Sequence, residues 1–397
     1  MTAAGEPRAA VVPPRPLDPT WYDYTPSPIG RTVAGAERLL EVGPLVEELG
    51  RRRALVVTSP ALVAEGRLLE RLERSLGKRL AGVFAETRPH SPIEVVRAAL
   101  ALAREVRADC LVSLGGGSSI DTAKGIVWYA ETEAPELGPQ PLAHVAIPST
   151  LSGAEYTVDA GITIGATKRV HAHPKIVPAI VVLDPAVAAS APPELFLASG
   201  LNALAHCLEG TVSINRSPMT DASYLHAIRL LSEALPDVQA GDAAARGTAQ
   251  AAAALAAIPS REMGLAHALV HAVGGRFRTP HAATHAIIGP AVMRFNQPTV
   301  GGQQRLIAEA LGRDVRGLGR DEAAWEAARG VVALRRRLGL PDSLAALGVP
   351  RDELRAAAAD APHDRYYPTN PAPIPSLDAV VEVLDWAWSG AIPDVTA

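Results

Sequence analysis

A change of rhythm near residue 190 limits this chain more than any other feature. From Arg53 to Pro185, short β-branched runs alternate with longer amphipathic ones. ALVVTSP reads as a buried strand, Leu62 to Leu76 as a helix, and AGVFAE as a second strand. Ile93 to Val106 follows as a helix with apolar residues at helical spacing. DCLVSLGGGS is a strand running into a glycine turn, SIDTAKGIVWYA the next helix and LAHVAIPST the next strand. ITIGATKRVH reads as a hairpin and AIVVLDP as a last strand. Alternation of this kind requires a parallel sheet covered by helices on both faces. From about Pro192 the β-rich runs stop. Helical periods take over at Glu194–Glu209, Pro218–Leu235, Ala243–Ala257 and Glu262–Val273, then from Ala282, Gln304, Glu322 and Leu377. The expected organisation is a disordered Pro-rich arm over 1–20, an α/β domain over 21–190 and an all-α domain over 191–397.

Composition removes several function classes. The formal net charge is −4, so no basic excess exists to neutralise phosphates, and nucleic acid is not an expected partner. No apolar run approaches the roughly 18 residues of a membrane span, so no membrane partner is expected. The N-terminal segment lacks an apolar signal core. Cys110 and Cys207 cannot build a disulfide framework and lie in apolar stretches, as reduced cysteines do. A cytoplasmic protein acting on a small molecule is the expectation.

Two loops point to a nucleotide. In LVSLGGGSSIDTAK a buried strand ends at Gly115, Gly116 and Gly117, and a helix opens at Ser118 or Ser119. Glycines allow close backbone approach, and a helix N-terminus attracts pyrophosphate. The spacing is not G-x-G-x-x-G. A second cluster, IPSTLSGAEYT, leaves the end of the next strand with Ser149, Thr150, Ser152 and Thr157. Ligands of open α/β sheets bind outside such ends.

Histidines point to a second site. Four of the eleven lie in GLAHALVHAVGGRFRTPHAATHA. His267 and His271 share one helix face, and His281 and His285 repeat the spacing after a Gly-Gly break. A helical hairpin brings such imidazoles to one point, and His206 in GLNALAHCLEG can join them. Imidazole suits divalent zinc, iron and nickel.

Together GGGSSIDTAK, IPSTLSGAEYT, GLNALAHCLEG and GLAHALVHAVGGRFRTPHAATHAI resemble the iron-containing alcohol dehydrogenase superfamily. The resemblance runs from about Tyr24 to the C-terminal helix. It implies a dinucleotide-binding α/β domain followed by an all-α catalytic domain, the architecture shared with dehydroquinate synthase. The chain is most similar to the maleylacetate reductase branch, which has Asn in the GLNALAH motif, an H-A-x-T-H ending and a C-terminal Tyr-Pro-x-Asn-Pro. Here the last is Tyr367 to Pro371.

The resemblance implies an NAD(P)H-dependent reductase of an unsaturated oxo acid such as maleylacetate, at C=C or C=O, working as a homodimer. Gly116, Gly117, Ser118 and Thr150 would hold the pyrophosphate, with Asp121, Ser149 and Ser152 in the same cofactor site. Lys168 would sit on the nicotinamide ribose. Thr58-Ser59-Pro60 stands where an acidic residue would exclude a 2′-phosphate, so both NADH and NADPH are expected. The family's metal ligands, one Asp and three His, correspond to Asn202, His206, His267 and His281. Asn202 removes a negative charge, so a bound iron or zinc is doubtful in this reading. His267, His271 and His281 are instead expected to do acid–base and electrostatic work. Asn202, His206, Arg276 and Tyr367 are the expected substrate contacts. An Arg often follows Asn-Pro in the family; Ala372-Pro373 follows here, and Arg276 and Arg278 are the expected replacements. The alternatives are a metal-dependent alcohol or aldehyde dehydrogenase and a reductase of a biosynthetic enone or ketone. A dehydroquinate-synthase-like lyase is less consistent with the low Lys/Arg density.

Overall fold

The computed structural model describes residues 27–137, 142–165, 167–259 and 262–396; the expected arm over 1–20 lies outside them. The strands are β1 (Arg31–Ala34), β2 (Ala54–Thr58), β3 (Leu80–Phe84), β4 (Cys110–Gly115), β5 (Ala143–Pro148), β6 (Asp159–Ile164), β7 (Thr167–Ala172) and β8 (Ile180–Leu183). Among them run helices α1 (Val42–Glu48), α2 (Pro60–Glu65), α3 (Arg67–Leu76), α4 (Ile93–Glu105) and α5 (Gly117–Glu133). After β8 come α6 (Pro185–Ala188), α7 (Pro193–Val212), α8 (Pro218–Gln239), α9 (Ala243–Ala257) and α10 (Leu265–Phe277). The remainder is α11 (His281–Ala310), α12 (Arg320–Arg337), α13 (Leu354–Asp360) and α14 (Leu377–Ser389).

Two compact units form. One takes the described residues of Thr25–Ala203 and Asp237–Pro259, the other those of Leu204–Pro236 and Ser260–Ala397. The division therefore falls inside α7, not at the expected 190/191. It also returns α9, expected in the helical half, to the sheet unit. The reason is packing by small residues: α9 lies on α6, β8 and the turn at Ala154–Tyr156. Gly153 makes room for it, because a Cβ there would stand 2.6 Å from that of Ala257.

In the sheet unit, six parallel strands run in the order β1-β8-β5-β4-β2-β3. Every residue of β2, β4 and β8 is buried, as expected for strands covered on both faces. Successive residues feed opposite layers. Val56 and Val112 pack with Leu45, Leu69 and Leu72 of α1 and α3, while Leu55, Val57 and Leu111 pack with Val95 and Ala99 of α4 and Ile126 of α5. Burial pushes the Cys110 thiol up to about 12, which leaves it inert. The helix expected over Leu62–Leu76 is broken into α2 and α3 by Gly66 at φ 76°. The expected hairpin is β6–β7, outside the main sheet. No helix among the described residues is long and apolar enough to cross a membrane.

From β2 the chain turns one way to β3; from β4 it turns the other way to β5. The switch point therefore lies between β2 and β4, where the glycine turn leaves the sheet.

The helical unit is built around α11, which packs on α10, α12 and α14. Pro290 inside α11 has no N–H for the carbonyl of Ala286, four residues back. Arg335 of α12, fully buried, donates from Nη1 to that carbonyl at 3.1 Å. A guanidinium thus replaces the missing backbone donor just beyond His281 and His285. Pro290→Ala restores the amide and should make Arg335 less necessary. In urea unfolding, Arg335→Met is expected to cost about 1–3 kcal/mol in the native background, the penalty of an unsatisfied carbonyl. The cost should fall by about 1 kcal/mol in Pro290→Ala; equal costs in both backgrounds would sink this account.

Candidate active site

Gly115 adopts φ +146°, and a Cβ there would lie 2.6 Å from Ser119 Oγ. Gly116 and Gly117 are glycines for another reason. A Cβ on the first would press Thr150 at 3.1 Å, and on the second Ser152 Oγ at 3.1 Å. The two loops leave neighbouring strands, with Gly115 paired to Pro148. Gly116, Gly117, Ser118, Ser149, Thr150 and Ser152 therefore come together beyond the C-terminal ends of β4 and β5, beside the switch point. α5 begins at Gly117 and adds its first-turn amides and the positive end of its dipole.

Lys124, two turns into α5, is fully buried. Its ammonium donates to Ala154 O at 2.5 Å, Thr157 O at 2.6 Å, Thr157 Oγ1 at 3.1 Å and Asp159 O at 2.8 Å. It ties the glycine-turn helix to the second loop. Sequence reasoning gave Lys124 no role; the signal was a lysine within the apolar stretch Thr122–Val127. Asp121 accepts the Gly161 N–H at 3.2 Å and lies in the field of Lys124 and Lys168. Lys168, on β7, stretches across Gly161, where a Cβ would be 2.1 Å from its Cε. Asp121 thus supports Lys168 and its hairpin.

Burial pushes the carboxyls of Asp121 and Glu155 up to about 6 and about 7. Glu155 keeps its proton in the native state to about pH 7 but loses it near 4.5 when unfolded. The folded state therefore binds more protons in that window, and stability present below pH 4.5 is lost as pH rises through 7. Glu155→Gln removes the dependence. Between pH 5 and pH 8 the wild type is expected to lose about 1–3 kcal/mol more stability than the variant. Parallel chemical-unfolding profiles would reject this.

In the helical unit, His206 of α7, His267 and His271 of α10, and His281 and His285 of α11 form one cluster. Ring centroids are 5.1 Å apart for His206–His267, 4.1 Å for His267–His285, 4.8 Å for His281–His285 and 5.4 Å for His271–His281. α10 begins after Gly264, which has no side chain to cap it. The cap comes from two other segments. Glu209 Oε1 accepts the N–H groups of Gly264 at 3.0 Å and Ala266 at 3.1 Å; Asn370 Oδ1 accepts that of Leu265 at 3.1 Å. The other Glu209 oxygen takes the Nδ1–H of His267, which aims Nε2 away from it. His271 Nδ1 donates to Asp364 Oδ2 at 2.7 Å. Burial pushes the Asp364 carboxyl up, but the bonds from His271 and from the Tyr366 N–H, with the nearby imidazole charge, hold it below its ordinary value.

Other expected contacts fall differently. Arg276 donates to Asp360 at 2.8 and 3.0 Å and to Glu353 at 3.3 Å, so carboxylates already match its charge. Among the described residues, the tyrosine touching the cluster is Tyr366, 5.7 Å from His267 and 6.2 Å from His271. Tyr367 is half-buried, and burial raises its hydroxyl pKa.

The donor set fits a metal ion. His267 Nε2, both ring nitrogens of His285 and Asn202 Oδ1 are buried without a hydrogen-bond partner. Burial and the surrounding imidazoles push His285 well below its ordinary value, so it is neutral and keeps a lone pair. Ligand atoms of Glu209, His267 and His285 all lie within 4.8 Å of one another. Imidazole nitrogen with carboxylate oxygen is a donor set for a divalent transition metal. The doubt about a metal is thereby corrected: Glu209, one turn beyond His206, restores the negative charge that Asn202 lacks. Sequence reasoning missed it, although 202, 206 and 209 follow helical spacing.

The iron-containing alcohol dehydrogenase family matches residues 29–185, and the C-terminal part of the Fe-containing alcohol dehydrogenase family matches 196–388. This chain belongs to that family and is an NAD(P)-dependent oxidoreductase. Maleylacetate reductase of Sphingobium indicum is 34% identical over 380 residues, covering 95% of this chain and 99% of that protein. Maleylacetate reductase of Burkholderia cepacia is 35% identical over 369 residues, covering 92% and 97%. The crystal structure of maleylacetate reductase from Rhizobium sp. strain MTP-10005 aligns with a TM-score of 0.81 at 33% identity, covering 94% and 99%.

Glu209→Gln removes the charge and keeps the shape. Metal affinity, measured by elemental analysis after graded dialysis, is expected to fall about 10- to 100-fold. Wild-type metal retention would refute the role given to Glu209.

Proposed function

We propose that this enzyme reduces the carbon–carbon double bond of maleylacetate, an unsaturated oxo diacid. The observation that carries the reading is the imidazole cluster, with His267 fixed by Glu209 and His271 fixed by Asp364. The relatives named maleylacetate reductase, matched along nearly their whole length, support the choice of substrate. His267, through Nε2, and His285 are the residues that would hold iron or zinc, with Glu209 supplying negative charge behind the His267 ring and Asn202 and His206 on the same face of α7 as Glu209. When bound, NAD(P)H supplies a hydride for the alkene carbon β to the ketone, and the metal supplies positive charge.

Hydride addition moves negative charge onto the ketone oxygen. The buried His267 and the exposed His281 stabilise that charge. His271 delivers the proton to the α-carbon, so one hydride and one proton add across the double bond. Asp364 holds the His271 ring in the tautomer and orientation for this transfer. The His271 side chain is 42% exposed, so solvent can return its proton.

Both nicotinamide cofactors suit the turn between β2 and α2. Thr58 Oγ1 is engaged with Leu114 O at 2.8 Å, and Ser59 caps α2. Neither carries a charge that would repel a 2′-phosphate. Loss of reduced-nicotinamide absorbance is therefore expected with maleylacetate and either NADH or NADPH. His271→Ala should lower kcat about 10²- to 10⁴-fold and leave NADH binding unchanged. A near-normal kcat in that variant would overturn the assignment of the proton donor.

A further inference from the structure

Two helices carry the paired imidazoles: α10 brings His267 and His271, and α11 brings His281 and His285. The turn between the helices fixes one end of their contact. α11 has 30 residues against 13 in α10, so it continues past the start of α10. Asn296 lies on that continuation, eleven residues after His285, about three turns on and on the same face. It is buried. Pro290 stands between the two, so α11 lacks a backbone bond in this stretch, a common cause of bending. Asn296 and Asn370 exchange amide hydrogen bonds. Asn296 Nδ2 donates to Asn370 Oδ1 at 3.0 Å, and Asn370 Nδ2 donates to Asn296 Oδ1 at 2.8 Å. Asn370 Oδ1 also accepts the Leu265 N–H at 3.1 Å, and its Nδ2 also donates to Ala372 O at 2.9 Å. A primary amide offers two donors and two lone pairs, so the Asn370 side chain is saturated.

The pairing needs both a donor and an acceptor at position 296. A carboxylate there accepts but cannot donate, and an apolar side chain does neither. Through Asn370, the first turn of α10 and the far part of α11 are bound to one point. Sliding α10 along α11 would break several bonds of one amide. The same motion would change the 4.1 Å centroid separation of His267 and His285 and the 5.4 Å separation of His271 and His281. We propose that Asn296 is a positioning residue of the active site: paired with Asn370, it sets the place of α10 along α11, and with it the distance between the two histidine pairs. It acts through Asn370, not on the substrate. The inference rests on the reading of the imidazole cluster as the reacting site.

Asn296→Ala removes the pair and leaves Asn370 Oδ1 to cap Leu265. With maleylacetate and NADH, kcat is expected to fall roughly 10- to 100-fold, the size of a displacement of about 1 Å among reacting groups. KM for NADH should stay within about twofold. Metal affinity, read by elemental analysis after graded dialysis, should fall about tenfold. If circular dichroism shows Asn296→Ala unfolded, Asn296→Ser replaces it with the same expectations. Asn296→Asp should recover most of the lost kcat at about pH 5.5, relative to wild type at that pH, because a buried carboxyl keeps its proton and its O–H replaces the amide donor. No recovery would mean that packing, not the pair, matters, and would overturn the proposal. In an Asn370→Ala background, Asn296→Ala should cost nothing further; a second loss of the same size would overturn the route through Asn370. An active wild type, with kcat and metal affinity both unchanged in Asn296→Ala, sinks this inference and leaves the reductase reading standing. A wild type inactive on maleylacetate, with metal affinity still lost in the variant, sinks the reductase reading and keeps the positioning role.

Discussion

The Glu209 carboxylate meets two needs of the helical unit with one charge. α10 starts at a glycine, so its first amides have no cap of their own, and the positive end of its dipole is unbalanced. One Glu209 oxygen accepts two of those amides. The other oxygen holds the Nδ1 proton of His267, which fixes the tautomer and leaves the Nε2 lone pair outward. The start of the helix and the direction of the imidazole are therefore one structural problem with one solution. His271, one turn on, inherits its position from the same start and is then fixed by Asp364.

The sheet unit uses the same logic with the opposite sign. Lys124 buries an ammonium, a costly step unless every proton finds an acceptor. Four oxygens of residues 154–159 surround it. The acceptors belong to the loop that faces the glycine turn, so the charge that α5 must bury also sets the distance between the two loops. In both units a charged side chain ties a helix to main-chain groups of a second segment, and a candidate binding loop or imidazole is positioned as a result.

What was legible in the sequence was periodic and local. Buried strands such as ALVVT and CLVSLG, the glycine turn and the paired histidines each announce themselves within a dozen residues. β1 escaped notice because it has four residues, of which only Val33 is buried. α9 read as one more Ala-rich helix, and only the fold shows that it covers the sheet unit. The roles of Glu209, Lys124 and Tyr366 depend on partners 30 to 99 residues away, or on which neighbour in a Tyr-Tyr pair turns inward. Arg276 failed as a substrate contact for the same reason: Asp360 lies 84 residues beyond it. Spacing along a helix gives the face a residue occupies, but not what meets that face.

Asn370 closes the start of α10 from near the C-terminal end of the chain, and Thr369 adds a bond to Met263 O at 2.8 Å. During synthesis on the ribosome, α7, α10 and α11 all emerge before the segment that completes their junction. The full set of contacts around the imidazoles can form only once residue 370 has cleared the exit tunnel.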